Sequence, residues 1–178
     1  MALGSSLQWE WRHVGRTIRS RLNVRDLLAM RGLSIPPGQI LPPEVRLTYR
    51  RLTRSGALVF LAGHGPSRGD QWGYLGKIGQ DLTIEDGIAA AELTALNVLG
   101  TIERELGSLD GVAQWLRVTG YVTRFDGFTE HGRVLNGFSD LLLDLYGADL
   151  LASRTSIGVP HLPFGMPIEV DAILEWSE

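Results

Sequence analysis

Apolar and polar residues alternate in two runs near the end of the sequence, on either side of a break rich in proline and glycine between residues 160 and 167. Alternation with a period of two predicts two β-strands, and the break predicts the loop that joins them. The same alternation places Arg154 and Glu169 opposite the apolar face of their respective strands. We therefore expect both side chains to point away from the core, where they can line one polar pocket if the strands pair in register.

A longer segment, Ile84–Leu106, has apolar residues at the spacing of an amphipathic helix. Thr83 is a suitable N-cap, and Asp86 three residues later completes the pattern of a capping box. Gly107 suits the C-terminal end of the helix. The pattern predicts a structural helix that packs on a sheet.

Two further helices are predicted. Residues 133–146 carry an apolar stripe that ends before Gly147, and residues 25–32 form a shorter segment with Asn23 as its N-cap. Residues 1–24 have roughly helical spacing of apolar residues with arginines between them, so they form either a short amphipathic helix or a flexible tail.

Three more strands are indicated in the first two thirds of the sequence. Residues 45–53 and 57–63 predict a hairpin around Ser55-Gly56, and residues 112–124 predict one long strand. One face of the long strand mixes aromatic and polar residues, which suits a subunit interface or a pocket wall. Its expected faces are Leu116, Val118 and Val122 on one side, and Trp115, Arg117, Thr119, Tyr121 and Thr123 on the other.

The predicted order of elements after residue 44 is β-β-α-β-α-β-β. Helices between strands imply crossovers, which are right-handed by default and put both helices on one face of a mixed sheet. This pattern predicts an α+β fold. No third layer remains to cover the other sheet face, so association between copies is expected there.

Charge divides this sequence of 178 residues unevenly, although its net charge is only -3. Residues 1–54 contain ten Lys/Arg and three Asp/Glu, whereas the remainder contains seven and seventeen. The acidic part would repel a polyanion, so nucleic-acid contact would have to use the basic segment, whose other interpretation is a solvated arm. We expect no nucleic-acid partner.

Several functional classes are disfavoured by what the sequence lacks. It has no cysteine, no apolar run long enough to span a membrane and no apolar signal core at its beginning, so we expect a cytoplasmic protein without membrane contact. Residues 69–79 are rich in glycine but lack the spacing of a phosphate or dinucleotide loop. The histidines have no ligand-like spacing, and no G-x-S-x-G motif is present, so neither a metal nor a cofactor is expected.

Three segments resemble one known family. An arginine in a short strand, an L-P turn and a glutamate fifteen positions later in IEVDAI resemble the C-terminal signature of the RidA (YjgF-type) reactive intermediate deaminases, also labelled endoribonuclease L-PSP-like. The runs SGALVFLAGHGP and GKIGQDLT are similar to further family segments. The resemblance implies a chorismate mutase-like fold for residues 35–178, preceded by an arm of residues 1–34. It also implies a homotrimer with a barrel-like core and pockets between subunits.

The resemblance also implies a reaction, the hydrolysis of 2-imino or 2-enamino acids to 2-oxo acids and ammonia. Arg154 would bind the carboxylate of the substrate, because a guanidinium stays protonated and matches a carboxylate as a planar fork. Glu169 would orient the attacking water. The expected partner is thus a small carboxylate-bearing ligand, and the residues expected to line its pocket are Tyr49, Gly63, Asn136 and Ser156.

Other interpretations stay open at this point. Ala62-Gly63-His64 stands where many members have Ser-Gly-Gln, so a hydroxyl is absent and an imidazole is added. This change favours a trimeric binder or sensor of small carboxylic acids over an efficient deaminase. Endoribonuclease-like activity would depend on the basic N-terminal segment. Arg154 and Glu169 could also form a plain ion pair, Tyr49 could be a half-buried strand aromatic, and Asn136 an exposed or capping residue.

Overall fold

The computed structural model describes residues 22–177 of the protein, so the helix or tail expected for residues 1–24 lies almost entirely outside the described residues. Its helices are α1 (Val24–Met30), α2 (Ile84–Leu106) and α3 (His131–Tyr146). Its strands are β1 (Leu52–Ser55), β2 (Leu58–His64), β3 (Ser67–Arg68), β4 (Gln71–Trp72), β5 (Val112–Thr123), β6 (Ser153–Val159) and β7 (Ile168–Trp176).

A five-stranded mixed sheet in the order β1-β2-β7-β5-β6 carries α2 and α3 on one face. The β5–β6 pair is parallel, because α3 lies in the connection between these strands, and the other pairs are antiparallel. The small β3–β4 hairpin stands apart from the large sheet. The predicted α+β fold, with both helices on one face of a mixed sheet, is confirmed.

Local signals set the ends of the helices as predicted. The Thr83 side chain accepts a hydrogen bond from the Asp86 backbone N–H, and the Asp86 carboxylate accepts one from the Thr83 N–H, so the capping box forms. Gly107 ends α2 in the left-handed conformation at φ 83°. At α1, the Asn23 side chain accepts from the Asp26 N–H.

Helix α1 belongs to the packed part of the molecule, although it falls within the expected arm of residues 1–34. Val24, Leu27 and Leu28 are buried in the main hydrophobic core. Just after the helix, the Arg31 guanidinium lies 2.8 Å from the Asp144 carboxylate on α3, and both side chains are largely buried. This part of the expected arm is therefore fixed to the domain.

The predicted first strand is shorter than expected. Only Leu52–Ser55 pairs with β2, and residues 45–51 lie outside any strand. The register of β2 shifts between Leu61 and His64, and this β-bulge comes directly after the Leu52–Leu61 pair. The shift belongs to the pairing of β2 with β7, whereas on the β1 side the Ala62 N–H still donates to the Arg51 carbonyl at 3.0 Å. Tyr49 lies on the segment before β1 and is 60% accessible.

The predicted faces of β5 are wrong at its beginning. Trp115 is 1% exposed and lies in the core, whereas Leu116 is 37% exposed. Two irregularities in the pairing with β7, one between Trp115 and Arg117, shift the alternation that a regular strand would have. From Arg117 onward the alternation follows the prediction, with Val118 and Val122 buried under the helices.

Within residues 22–177, one face of the sheet is left without cover in the protomer. Large apolar side chains on this face, which we call the open face, are partly exposed: Leu58 at 40%, Phe60 at 41% and Ile157 at 41%. The open face also presents Arg117, Thr119, Tyr121, Thr155, Glu169 and Asp171, by their register positions. A mixed face of this kind is typical of an interface.

Candidate functional site

Arg154 projects from the edge strand β6 towards helix α3. Its Nη1 donates to Ser139 Oγ at 2.8 Å, and its Nη2 donates to Asn136 Oδ1 at 2.6 Å and to the Gly132 carbonyl at 3.2 Å. These three acceptors use three of the five N–H groups of the guanidinium. The helix therefore holds the cation in one place while the side chain stays accessible to solvent.

A surface cavity of about 240 Å³ lies beside this guanidinium. Its wall is mostly apolar, with one cation and two short polar side chains. Such a lining suits a small organic anion, because the cation binds the charged end and the apolar wall accepts the remainder. The lining residues are Val118, Asn136, Ser139, Leu142, Leu151, Ala152 and Arg154.

Glu169 lies on β7, directly opposite Tyr121 of β5. Its carboxyl group covers Gly63, and a Cβ added at Gly63 would clash with Glu169 Oε1. Burial raises the pKa of Glu169, and the charge of Asp171 raises it further. A carboxylate with a raised pKa is a stronger base than an ordinary one and so accepts a proton from water more readily.

Arg154 and Glu169 do not share a face, which corrects the sequence prediction. Val118 pairs with both Arg154 and Ala172, and residues in register on neighbouring strands point to the same side. Ala172 is buried under the helices, and Glu169 is three positions away, so Glu169 points to the open face. The prediction failed because it took the apolar face of β6 for the core face, whereas α3 covers the polar one.

The other residues predicted to line the pocket divide between these two places. Asn136 binds Arg154 directly, and Ser156 Oγ lies near the first turn of α3, 3.9 Å from where a Cβ on Gly132 would be. Gly63 lies under Glu169. Tyr49 is exposed on the segment before β1. The protomer thus presents Arg154, Asn136 and Ser156 on the helix side, and Gly63 with Glu169 on the open face.

Sequence reasoning did not include two polar residues that accompany Glu169. The Asp171 carboxylate interacts with the Tyr121 hydroxyl and raises the pKa of Tyr121. Asp171 and Glu169 are two positions apart on one strand, so both face Tyr121 across the sheet. Alternation along the sequence places Tyr121 and Asp171 on the outward side of their own strands. Only the pairing of β5 with β7 shows that the two side chains lie close together.

His64 does not enter either half of the site, contrary to the expectation that it adds an imidazole to the pocket. It is 2% exposed on the side of helix α2, where Nδ1 lies 2.7 Å from the Ala62 carbonyl and Nε2 lies 2.8 Å from Thr101 Oγ1. A carbonyl can only accept, so Nδ1 carries the proton and Nε2 accepts from the threonine. Burial lowers the pKa of His64 to about 4, so the ring is neutral.

Residues 22–177 contain no group of three or more His, Asp or Glu side chains arranged to hold a metal ion. Within the same residues, no helix combines the length and apolar character that crossing a membrane requires.

Comparison with known proteins gives consistent matches. Protein TCP17 of Trypanosoma cruzi is 36% identical over 122 residues, which is 68% of this chain and 76% of that protein. The crystal structure of Atu1372 from Agrobacterium tumefaciens, a protein of unknown function, has a TM-score of 0.79 at 28% identity and covers 86% of this chain and 92% of its own. A structure from Shewanella oneidensis described as a "putative endoribonuclease" has a TM-score of 0.80 at 26% identity, and the match covers 86% of this chain and 99% of that chain.

A family match covers most of the folded part. Residues 43–171 match the family described as "YjgF/chorismate mutase-like, putative endoribonuclease". The matched range includes β1 to α3, β6 and the Glu169 end of β7, and therefore both halves of the candidate site. The chain belongs to the YjgF/chorismate mutase-like family, which includes the RidA proteins.

Proposed function

We propose that the protein is a RidA-like hydrolase that converts 2-imino or 2-enamino acids into 2-oxo acids and ammonia. The observation that carries the proposal is the pair of complementary groups on opposite faces of the sheet. One is a fixed guanidinium beside an apolar cavity, and the other is a half-buried carboxyl with a raised pKa. A carboxylate anchor and a proton acceptor are the two groups that this hydrolysis requires.

The opposite orientation of Arg154 and Glu169 supports a site shared between copies. Within one protomer the sheet separates the two side chains, so neither can reach a small ligand bound by the other. In the proposed homotrimer, the helix-side edge of one protomer, with Arg154, meets the open face of the next, with Glu169. The partly exposed Leu58, Phe60 and Ile157 supply apolar area for such a contact.

The chemistry can be assigned to these residues. Arg154 binds the substrate carboxylate, and Asn136 and Ser139 keep the guanidinium in place. Ionised Glu169 takes a proton from water while the water oxygen forms a bond to the imine carbon, and Glu169 passes that proton to the imine nitrogen, which leaves the carboxylate ionised again. The carbinolamine then loses ammonia: its hydroxyl proton passes through Glu169 to the amine nitrogen, the C–N bond breaks and the carbonyl forms. Each turnover consumes one water and releases one 2-oxo acid and one ammonia.

Binding of small carboxylic acids without turnover is the second candidate. Ala62, next to the glycine that Glu169 covers, carries no hydroxyl where many members of the family have serine. The position of His64 gives no support to this candidate, because its imidazole is bound to Thr101 beneath the sheet.

Release of 2-oxo acid from imines that an amino-acid oxidase generates tests the proposal. We expect Arg154→Ala to remove the acceleration and to leave the oligomer intact. Arg133→Ala is a matched control, because Arg133 is an exposed arginine on α3, the helix that Arg154 contacts, and it pairs with Glu85 and Glu130 instead. Tight binding of 2-oxo acids by the wild type without any acceleration would select the binder. RNA cleavage that survives Arg154→Ala would select the endoribonuclease.

A further inference from the structure

Two aromatic rings stack at the end of the sheet where β2 ends and β7 begins. The Trp72 and Phe164 ring centroids are 4.9 Å apart, with planes 20° from parallel. Phe164 is 42% exposed, and Trp72 is partly exposed. Leu75, which is 53% exposed, lies next to Gly76, whose N–H binds the Gly165 carbonyl. The rings thus form part of an apolar surface that faces solvent in the protomer.

The backbone of Phe164 has a conformation that side chains rarely adopt. Its φ of 59° is the only positive value at a non-glycine residue among residues 22–177. Strain of this kind persists only where the surroundings fix it, and it occurs preferentially at functional sites. A phenylalanine held in this conformation with its ring exposed points to a ligand rather than to core packing.

Buried polar groups hold both turns that carry the rings. The Asn97 amide, on α2, donates to the carbonyls of Gly65 and Ser67, which precede the turn to Trp72. On the other side, Thr123 Oγ1 lies 3.2 Å from the Pro167 carbonyl, three residues after Phe164. The stack is therefore preformed, and its rings are in place before any ligand arrives.

The stack borders the Glu169 end of the candidate site. Strands β2 and β7 are antiparallel, so the chain that follows β2 lies beside the chain that precedes β7. Glu169 covers Gly63. The next glycine along this strand end, Gly65, is covered by Met166 and Trp72. A Cβ added at Gly65 would lie 3.1 Å from Trp72 Cζ3. Successive contacts therefore lead from the reacting carboxyl to the aromatic rings.

We infer that Trp72 and Phe164 bind the side chain of the substrate and select 2-imino acids with a bulky apolar side chain, aromatic or branched. This inference rests on the proposed function of Glu169. Two stacked rings offer a flat apolar surface that a methyl group cannot cover but that a phenyl or branched alkyl group can. The selected substrates are then imines derived from large apolar amino acids.

Calorimetric titration with two 2-oxo acids, phenylpyruvate and pyruvate, tests the inference. We expect the wild type to bind phenylpyruvate roughly tenfold or more tightly than pyruvate. Trp72→Ala and Phe164→Ala should each reduce that ratio several-fold while leaving the Kd for pyruvate nearly unchanged, and Trp72→Phe should retain most of the ratio. Phe125→Ala is the matched control, because Phe125 is 39% exposed and belongs to another loop.

Turnover and assembly are measured on the same proteins. The kcat/KM for the phenylalanine-derived imine should fall in the two alanine variants, and that for the alanine-derived imine should not. Equal losses for both substrates, or loss of the oligomer in both variants, overturn the inference. Neither result contradicts the proposed hydrolase activity. Selective binding of phenylpyruvate without any turnover overturns the hydrolase and supports the inference. If neither acid binds, both are overturned.

Discussion

Arg154 and Glu169 lie on opposite faces of one sheet, on two strands that both pair with β5. Arg154 is bound to α3 through Asn136 and Ser139, whereas Glu169 covers Gly63 on the open face. A ligand that one protomer holds through its guanidinium therefore lies beyond the reach of the same protomer's Glu169 carboxyl. The proposed reaction requires two copies, and this requirement can be tested directly.

Co-expression of Arg154→Ala and Glu169→Gln subunits should restore activity that neither variant has alone. Random association places an intact Arg154 against an intact Glu169 at about one interface in four, so about a quarter of the wild-type kcat should return. The purified mixed oligomer is assayed for release of 2-oxo acid. A mixture as inactive as its parents would show that both groups act within one protomer or that the pair is structural.

Gly63→Ala should reduce turnover strongly, because the new methyl group would occupy the position of Glu169 Oε1. The carboxyl must then rotate away from its present place, and misplacement of a reacting group by about 1 Å can cost on the order of 100-fold in rate. Comparison of kcat with the Kd for a 2-oxo acid separates this effect from loss of carboxylate binding at Arg154. Full activity in a correctly assembled Gly63→Ala protein would contradict the role of Glu169.

Asp171→Asn should shift the acidic limb of the pH–kcat/KM profile to lower pH. The negative charge of Asp171 raises the pKa of Glu169, so its removal lowers that pKa. A reaction that needs ionised Glu169 then persists to lower pH. The profiles of wild type and variant are recorded under identical salt, with Glu169→Gln as the reference that lacks the group. If the acidic limb stays in place or moves to higher pH, it reports the titration of a residue other than Glu169.

Acid should destabilise the protein through His64. Its pKa is about 4 in the folded state and 6.5 in the reference state, through burial and, to a smaller extent, the positive charges of Arg51 and Arg104. Between these values the unfolded chain binds a proton that the folded protein does not, so stability is complete above pH 6.5 and falls as the pH decreases towards 4. The loss at pH 5 amounts to about 2 kcal/mol.

Urea unfolding of wild type and His64→Gln at pH 7 and pH 5 measures this contribution. Glutamine can accept from Thr101 and does not titrate, so the variant should lose less stability between the two pH values than the wild type does. An equal loss in both proteins would assign the acid sensitivity to titratable groups other than His64.

The sequence alone determined most of the elements and their order. Thr83, Asp86 and Gly107 predicted the ends of α2, because capping depends on groups only a few residues apart. The apolar stripes of α2 and α3 likewise predicted the two helices, and the position of each helix between strands predicted that both lie on one face of a mixed sheet. The resemblance of three short segments to known motifs identified the family, because each motif is a contiguous stretch that can be recognised without the structure.

Tertiary structure decided which way the side chains of the site point. The irregular pairing of β5 with β7 turned Trp115 into the core and Leu116 outward, and β1 pairs with β2 only over Leu52–Ser55. On β6, the polar side that carries Arg154 faces α3, which supplies hydrogen-bond acceptors in place of apolar contacts. Alternation along one strand separates two faces but does not say which of them meets the helices. That choice depends on the partner strands and on the covering helix, which are distant in the sequence.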